Sequence, residues 1–97
     1  MLENEKMAIT IQLDGIKSEN DLQIILMKKL GFPDFYGKNW DAFWDAITGL
    51  VEMPDELIFK DWDNFSNILP KEAEMLRKML ENYNSEFPMW KCEITYK

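Results

Sequence analysis

The two ends of this chain carry the same pattern, and that pattern limits the folds open to it. Met7-Ala8-Ile9-Thr10-Ile11-Gln12-Leu13 alternates strictly, with Met7, Ile9, Ile11 and Leu13 pointing one way and Ala8, Thr10 and Gln12 the other. Near the other end, Cys92, Ile94 and Tyr96 alternate with Glu93, Thr95 and Lys97. A period of two is that of a strand with one buried face. A third strand is predicted at Leu57-Ile58-Phe59, apolar on consecutive residues as befits a central strand covered more fully than its neighbours.

Between these strands the period becomes that of a helix. Ser18-Glu19-Asn20-Asp21 resembles a capping box with Asp in place of the usual Glu, and Leu22, Ile25, Leu26 and Leu30 recur at helical spacing before Gly31, a natural stop. Asn39 is a good N-cap for a helix from Trp40 to Thr48, closed by Gly49. Pro54-Asp55 marks a turn, and Trp62 and Phe65 lie in a loop or short helical turn. Pro70 suits a first helical position, Leu76, Met79, Leu80 and Tyr83 form the apolar stripe of a last helix, and Asn84-Ser85-Glu86-Phe87-Pro88 breaks it. The order β-α-α-β-(α)-α-β calls for parallel strands joined by helical crossovers. Because both outer strands alternate, the helices are expected on one sheet face and water on the other, which describes a two-layer α/β domain. No linker or repeat interrupts it, so residues 1–97 read as one domain, with 1–6 as a flexible tail.

Charge and composition narrow the function. The chain holds 18 acidic against 11 basic residues, a formal net charge of −7, with 46% apolar content. That is ample for a core, but it is the wrong sign for gripping nucleic acid phosphates or anionic membranes. A basic protein partner fits better. There is no histidine, which removes the commonest general base and metal ligand. Cys92 is the single cysteine, so no disulfide can form within the chain. The polar start Met1-Leu2-Glu3-Asn4-Glu5-Lys6 lacks the apolar core of a signal peptide, and no apolar run approaches a membrane span, so a cytoplasmic protein without cofactor is expected.

The charge is concentrated. Residues 34–56 contain Asp34, Asp41, Asp45, Glu52, Asp55 and Glu56 against Lys38 alone, a local −5. On a helix, Asp41, Asp45 and Thr48 fall within roughly 60° of one another. Trp40, Phe43 and Ile47 form the opposing apolar stripe, and Trp44 lies between, able to pack inward and still show an edge. Ala42, Ala46 and Gly49 make a third, small-residue side that is expected to leave the backbone accessible. Asp41 gains from the helix dipole and needs no partner to explain it. Asp45 lies past the first turn and repeats the charge at i+4, where like charges repel by about a few tenths of a kcal/mol. Two carboxylates one turn apart could bridge a metal, yet the helix supplies no third ligand and EF-hand spacing is absent. An acid–base pair would need a cleft, so an enzyme is not the expected reading. Cys92 on an apolar strand face reads as a buried small hydrophobe.

The string Tyr36-Gly37-x-Asn39-x-Asp41-Ala42-x-Trp44-Asp45, followed by Ile47-Thr48-Gly49 and Val51-Glu52-x-Pro54, resembles the barstar family, intracellular protein inhibitors of barnase-type ribonucleases. The resemblance implies a three-stranded parallel sheet with helices packed against it. It also implies an immunity protein in a 1:1 complex with a basic ribonuclease or toxin, whose second helix and preceding loop plug the nuclease active site. By position, Asp45 would be the central phosphate mimic and Asp41 a second anion. Asn39, Thr48 and the Gly49 region would add polar and backbone contacts, Phe35 and Tyr36-Gly37 would lie on the contacting loop, and Trp44 would support Asp45. Phe35 lacks the hydroxyl of the family's usual tyrosine, and Leu50 stands where an aromatic follows the glycine. The family's acidic contact on the last long helix falls at Asn82, with Glu81 beside it, and the chain is a few residues longer between Pro54 and Trp62. A barstar-like module for another basic partner, a different toxin or a regulator, is the alternative.

Overall fold

The computed structural model describes residues 7–97; the tail expected at 1–6 lies outside the described residues. In chain order it contains β1 (Ala8–Gln12), α1 (Glu19–Leu30), α2 (Trp40–Gly49), β2 (Glu56–Lys60), α3 (Trp62–Ile68), α4 (Pro70–Glu86), a 3-10 turn (Pro88–Trp90) and β3 (Glu93–Tyr96). The three strands form one sheet in the order β1-β2-β3, and both pairings are parallel. Both crossovers step in the same direction along the sheet, and with the right hand that such connections adopt they place α1/α2 and α3/α4 on the same side. The fold is therefore the expected two-layer α/β domain with a three-stranded parallel sheet.

Register explains the alternation. Ile9, Leu57 and Ile94 lie side by side across the sheet, as do Ile11, Phe59 and Tyr96. Leu57, Phe59 and Ile11 are wholly buried, and Ile9, Ile94 and Tyr96 pack against the same core. The opposite face carries Ala8, Glu56 and Glu93 in one row and Thr10, Ile58 and Thr95 in the next. Ile58, half-buried there, is flanked by two threonines, so the middle strand is shielded by its neighbours without a second helical layer. Met7 departs from the expected pattern. The strand begins at Ala8, and the Met7 side chain is 63% exposed. Its backbone does the work instead: its N–H donates to the Asp55 carboxylate, and its carbonyl accepts from the Asp55 and Glu56 N–H groups.

The helix ends follow their capping chemistry. Ser18 Oγ accepts from the Asp21 N–H at 3.1 Å, and the Asp21 carboxylate accepts in return from the Lys17 N–H. Gly31 closes α1 at φ 75, a left-handed conformation that glycine adopts without a Cβ clash. The Trp62/Phe65 segment is a helix of seven residues rather than a loop, and both aromatics are buried. Pro70 opens α4 as expected. Asn84 does not break α4, which runs on to Glu86. Its amide side chain donates to the Cys92 carbonyl at 2.7 Å and accepts from the Cys92 N–H at 2.8 Å. That pair copies a strand–strand contact and ties the start of β3 to the end of α4.

Cys92 is wholly buried. Burial, with the Asp55, Glu56 and Glu93 carboxylates adding to it, pushes the thiol up to about 12 from an ordinary 9.0. A thiol more acidic in the unfolded chain than in the folded one stabilises the fold fully below its unfolded pKa, and that share is lost as pH rises towards the folded value. We expect unfolding free energy measured in urea to fall between about pH 9 and 12, with a shallower decline in Cys92→Ala. A thiol reagent at pH 8 should label native Cys92 only through unfolding.

Candidate functional site

Tyr36 organises the segment before α2. It is 5% exposed, its ring packs on Phe32 at 4.8 Å, and its hydroxyl donates to the Gln23 side-chain oxygen inside the core. The Asn39 carbonyl lies 3.4 Å from the same hydroxyl. Burial holds the phenol well above its ordinary pKa, so it remains a donor. Tyr36 thus offers position more than contact surface, while its neighbour Phe35 stands 77% exposed. Gln23, on α1, is wholly buried and was invisible to a periodicity that counts only apolar residues. Its amide nitrogen has no hydrogen-bond partner among the described residues.

The chain then turns sharply into α2. Lys38 adopts φ 55, and Asn39 is extended at φ −147. Asn39 Oδ1 accepts from the Ala42 N–H at 2.7 Å, and Nδ2 donates to the Gly37 carbonyl at 3.2 Å. Both ends of its amide are therefore engaged in building the cap. Gly37 fits because a Cβ there would come within 3.2 Å of the Ala42 Cβ. The small side of α2 faces inward, contrary to expectation: Ala46 is wholly buried and Ala42 packs against the core, while Gly49 alone is exposed. Small residues there let the helix press close to the core. Phe43 and Ile47 are buried as the stripe predicted, and half-buried Trp40 donates its indole N–H to Glu72 of α4 at 2.9 Å.

So held, α2 presents Asp41 and Asp45 to solvent one turn apart. Among the described residues, no hydrogen bond or ion pair engages either carboxylate. Half-buried Trp44 lies beside them, and half-buried Thr48 donates its hydroxyl to the Trp44 carbonyl at 2.7 Å. Leu50, after the helix, is 47% exposed.

A shallow groove of about 500 Å³ runs between α2 and α4, lined by Asp41, Trp44, Asp45, Met79, Asn82 and Glu86. It separates the two candidates on the last helix. Asn82 borders the groove. Glu81 does not; it lines a different depression with Asn84 and Tyr96 beside β3. The groove also contains Glu86, which sequence reading missed by treating residues 84–88 only as a break. Met79, Asn82 and Glu86 follow the i, i+3, i+7 spacing of one helix face, and that signal was available. Three carboxylates and no cation line the groove, yet among the described residues no three acidic, cysteine or histidine side chains converge to hold a metal ion. Nor, among those residues, is any helix long and apolar enough to cross a membrane. The arrangement suits accepting hydrogen bonds from cationic donors brought by another molecule.

The family model described as Barstar (barnase inhibitor) matches residues 6–95 of this chain. A protein of Bacillus subtilis (strain 168) named "Putative ribonuclease inhibitor YrdF" is 34% identical over 79 residues, covering 78% of this chain and 86% of its own.

If the Asn39 amide builds the start of α2, Asn39→Ala should lower stability by about 1 kcal/mol in urea unfolding, and Asn39→Asp by much less. Equal losses would place the effect elsewhere.

Proposed function

This chain belongs to the barstar family, and from that premise we propose that it is an inhibitor of a basic, barnase-type ribonuclease, plugging the enzyme's active site with α2 and the loop before it. The observation that carries the reading is the pair of exposed, unengaged carboxylates on a helix anchored at its start, with a third carboxylate across the groove. A ribonuclease site that binds RNA phosphates presents converging cationic donors. Asp45 takes the place of a phosphate among them, and Asp41 supplies a second anion. Phe35 and Gly37 on the loop, Thr48, and the Gly49–Leu50 turn complete the rim, with Trp44 packed behind Asp45. From α4 the contact comes from Asn82 and Glu86 rather than Glu81.

The physical case rests on preorganisation. The Asn39 cap, the buried Tyr36 hydroxyl and the Trp40–Glu72 bond fix the carboxylates before any partner arrives, so little ordering is left for binding to offset. Charge-assisted hydrogen bonds in a desolvated contact are the strong kind. The local −5 draws in a basic protein and speeds encounter in a salt-dependent way. The complex is one-to-one, and the protein serves as a cytoplasmic immunity protein.

RNA cleavage by a barnase-type ribonuclease, with and without an equimolar amount of this protein, tests the reading. We expect inhibition by the wild type and an affinity loss of about 4 kcal/mol or more for Asp45→Ala. That range takes its upper end from this family, so the magnitude is carried over. Association should also slow steeply with added salt. A wild type that leaves cleavage untouched would reject this target class in favour of a module for another basic partner.

A further inference from the structure

Away from α2 and its preceding loop, two adjacent exposed apolar side chains stand on the turn between α4 and β3, where Met89 is 88% and Trp90 65% exposed. Trp90 is not loose. Its ring stacks on Phe87 at 5.8 Å with an interplanar angle of 21°, and Phe87 in turn lies 5.4 Å from the ring of buried Tyr83. Its backbone N–H donates to the Phe87 carbonyl at 2.9 Å. One indole face is thus supported from within, and the ring is held ready for a contact on its outer side.

Between this turn and the end of α2 lies a cleft of about 550 Å³. Ile47, Val51 and Phe87 give it an apolar wall, and Thr48, a member of the α2 contact surface, stands on its lip. Glu52 and Asp55 supply two carboxylates against one cation, Lys91. The Asp55 carboxylate also accepts from the Met7 N–H at 2.9 Å, which fixes its place. An aromatic plate, an aliphatic wall and an excess of negative charge match an arginine or lysine side chain: the stem lies on the apolar wall, and the charged head lies over the indole and towards the carboxylates.

We propose that this cleft is a second anchor for the same basic ribonuclease, receiving an arginine or lysine side chain from a surface loop outside its catalytic centre. This rests on the inhibitor reading and extends its interface from the acidic helix through Thr48 to Trp90. A second copy of this chain is a poorer occupant, because each copy carries −7 and two such copies repel, whereas a basic enzyme is attracted. With Asp45 blocking the active site, the cleft sets which enzymes are held longest.

Dissociation rates from a barnase-type ribonuclease, measured for the wild type, Trp90→Ala, Met89→Lys and Asp45→Ala, test this. Met89 and Trp90 are exposed, and unchanged thermal unfolding would show that both variants fold. We expect Trp90→Ala and Met89→Lys each to dissociate about 10-fold faster, and Asp45→Ala to lose tight binding altogether. If both cleft variants dissociate within twofold of wild type while Asp45→Ala fails to bind, the second anchor is overturned and the active-site plug stands. If the cleft variants weaken binding and Asp45→Ala does not, the anchor stands without the plug. If the wild type does not bind, both are overturned.

Discussion

The geometry of the acidic surface depends on one buried contact, the Tyr36 hydroxyl on the Gln23 amide. It joins the loop before α2 to α1 inside the core, where an unmade hydrogen bond would be costly. From that fixed point the chain has three residues in which to turn, and it does so through Gly37 and the left-handed Lys38 into the Asn39 cap. Trp40 then docks its indole on Glu72, and α2 is pinned to α4. The direction in which Asp41 and Asp45 point follows from these ties rather than from anything the carboxylates do for the fold.

Two aspartates one turn apart repel each other, and neither gains a partner from the rest of the described chain. Asp41 recovers part of that cost from the dipole of α2; Asp45, further along, recovers less. Glu86 across the groove adds to the same field. A surface arranged this way is locally less favourable alone than in contact with matching cations, which is the condition for binding energy to be gained at those side chains. The cleft beside it adds an apolar wall and the supported Trp90 ring to two further carboxylates, Glu52 and Asp55, on the other side of Thr48.

Much of this was legible in the sequence because it is carried by local rules. Alternation located β1 and β3, the Ser18 and Asn39 caps and Gly31 located the starts and stop of the helices, and the Asp41–Asp45 spacing placed both carboxylates on one face. What escaped depends on tertiary placement. Gln23 shares a helix face with Leu26 and Leu30 at i, i+3, i+7 spacing, but a polar side chain there does not read as core. Asn84, a residue that usually signals a break, stays helical, and its side-chain amide is taken up by two hydrogen bonds with the Cys92 backbone just ahead of β3. Ala42 and Ala46 read as an open side of α2 until the core is seen to lie against them. Glu81 and Glu86 are equally acidic, and the rotation of α4 against α2 decides that the second borders the groove.

The central claim is that α2 occupies the place of RNA in a ribonuclease. The most direct measurement is competition: titrate the complex of this protein with a barnase-type ribonuclease against a guanosine 3′-monophosphate ligand bound in the enzyme's active site, and follow the apparent affinity of each. The account predicts strict mutual exclusion, with the apparent Kd of the protein rising linearly, without a plateau, as nucleotide concentration increases. A ternary complex, in which nucleotide and protein bind the enzyme together without loss of affinity, would contradict it.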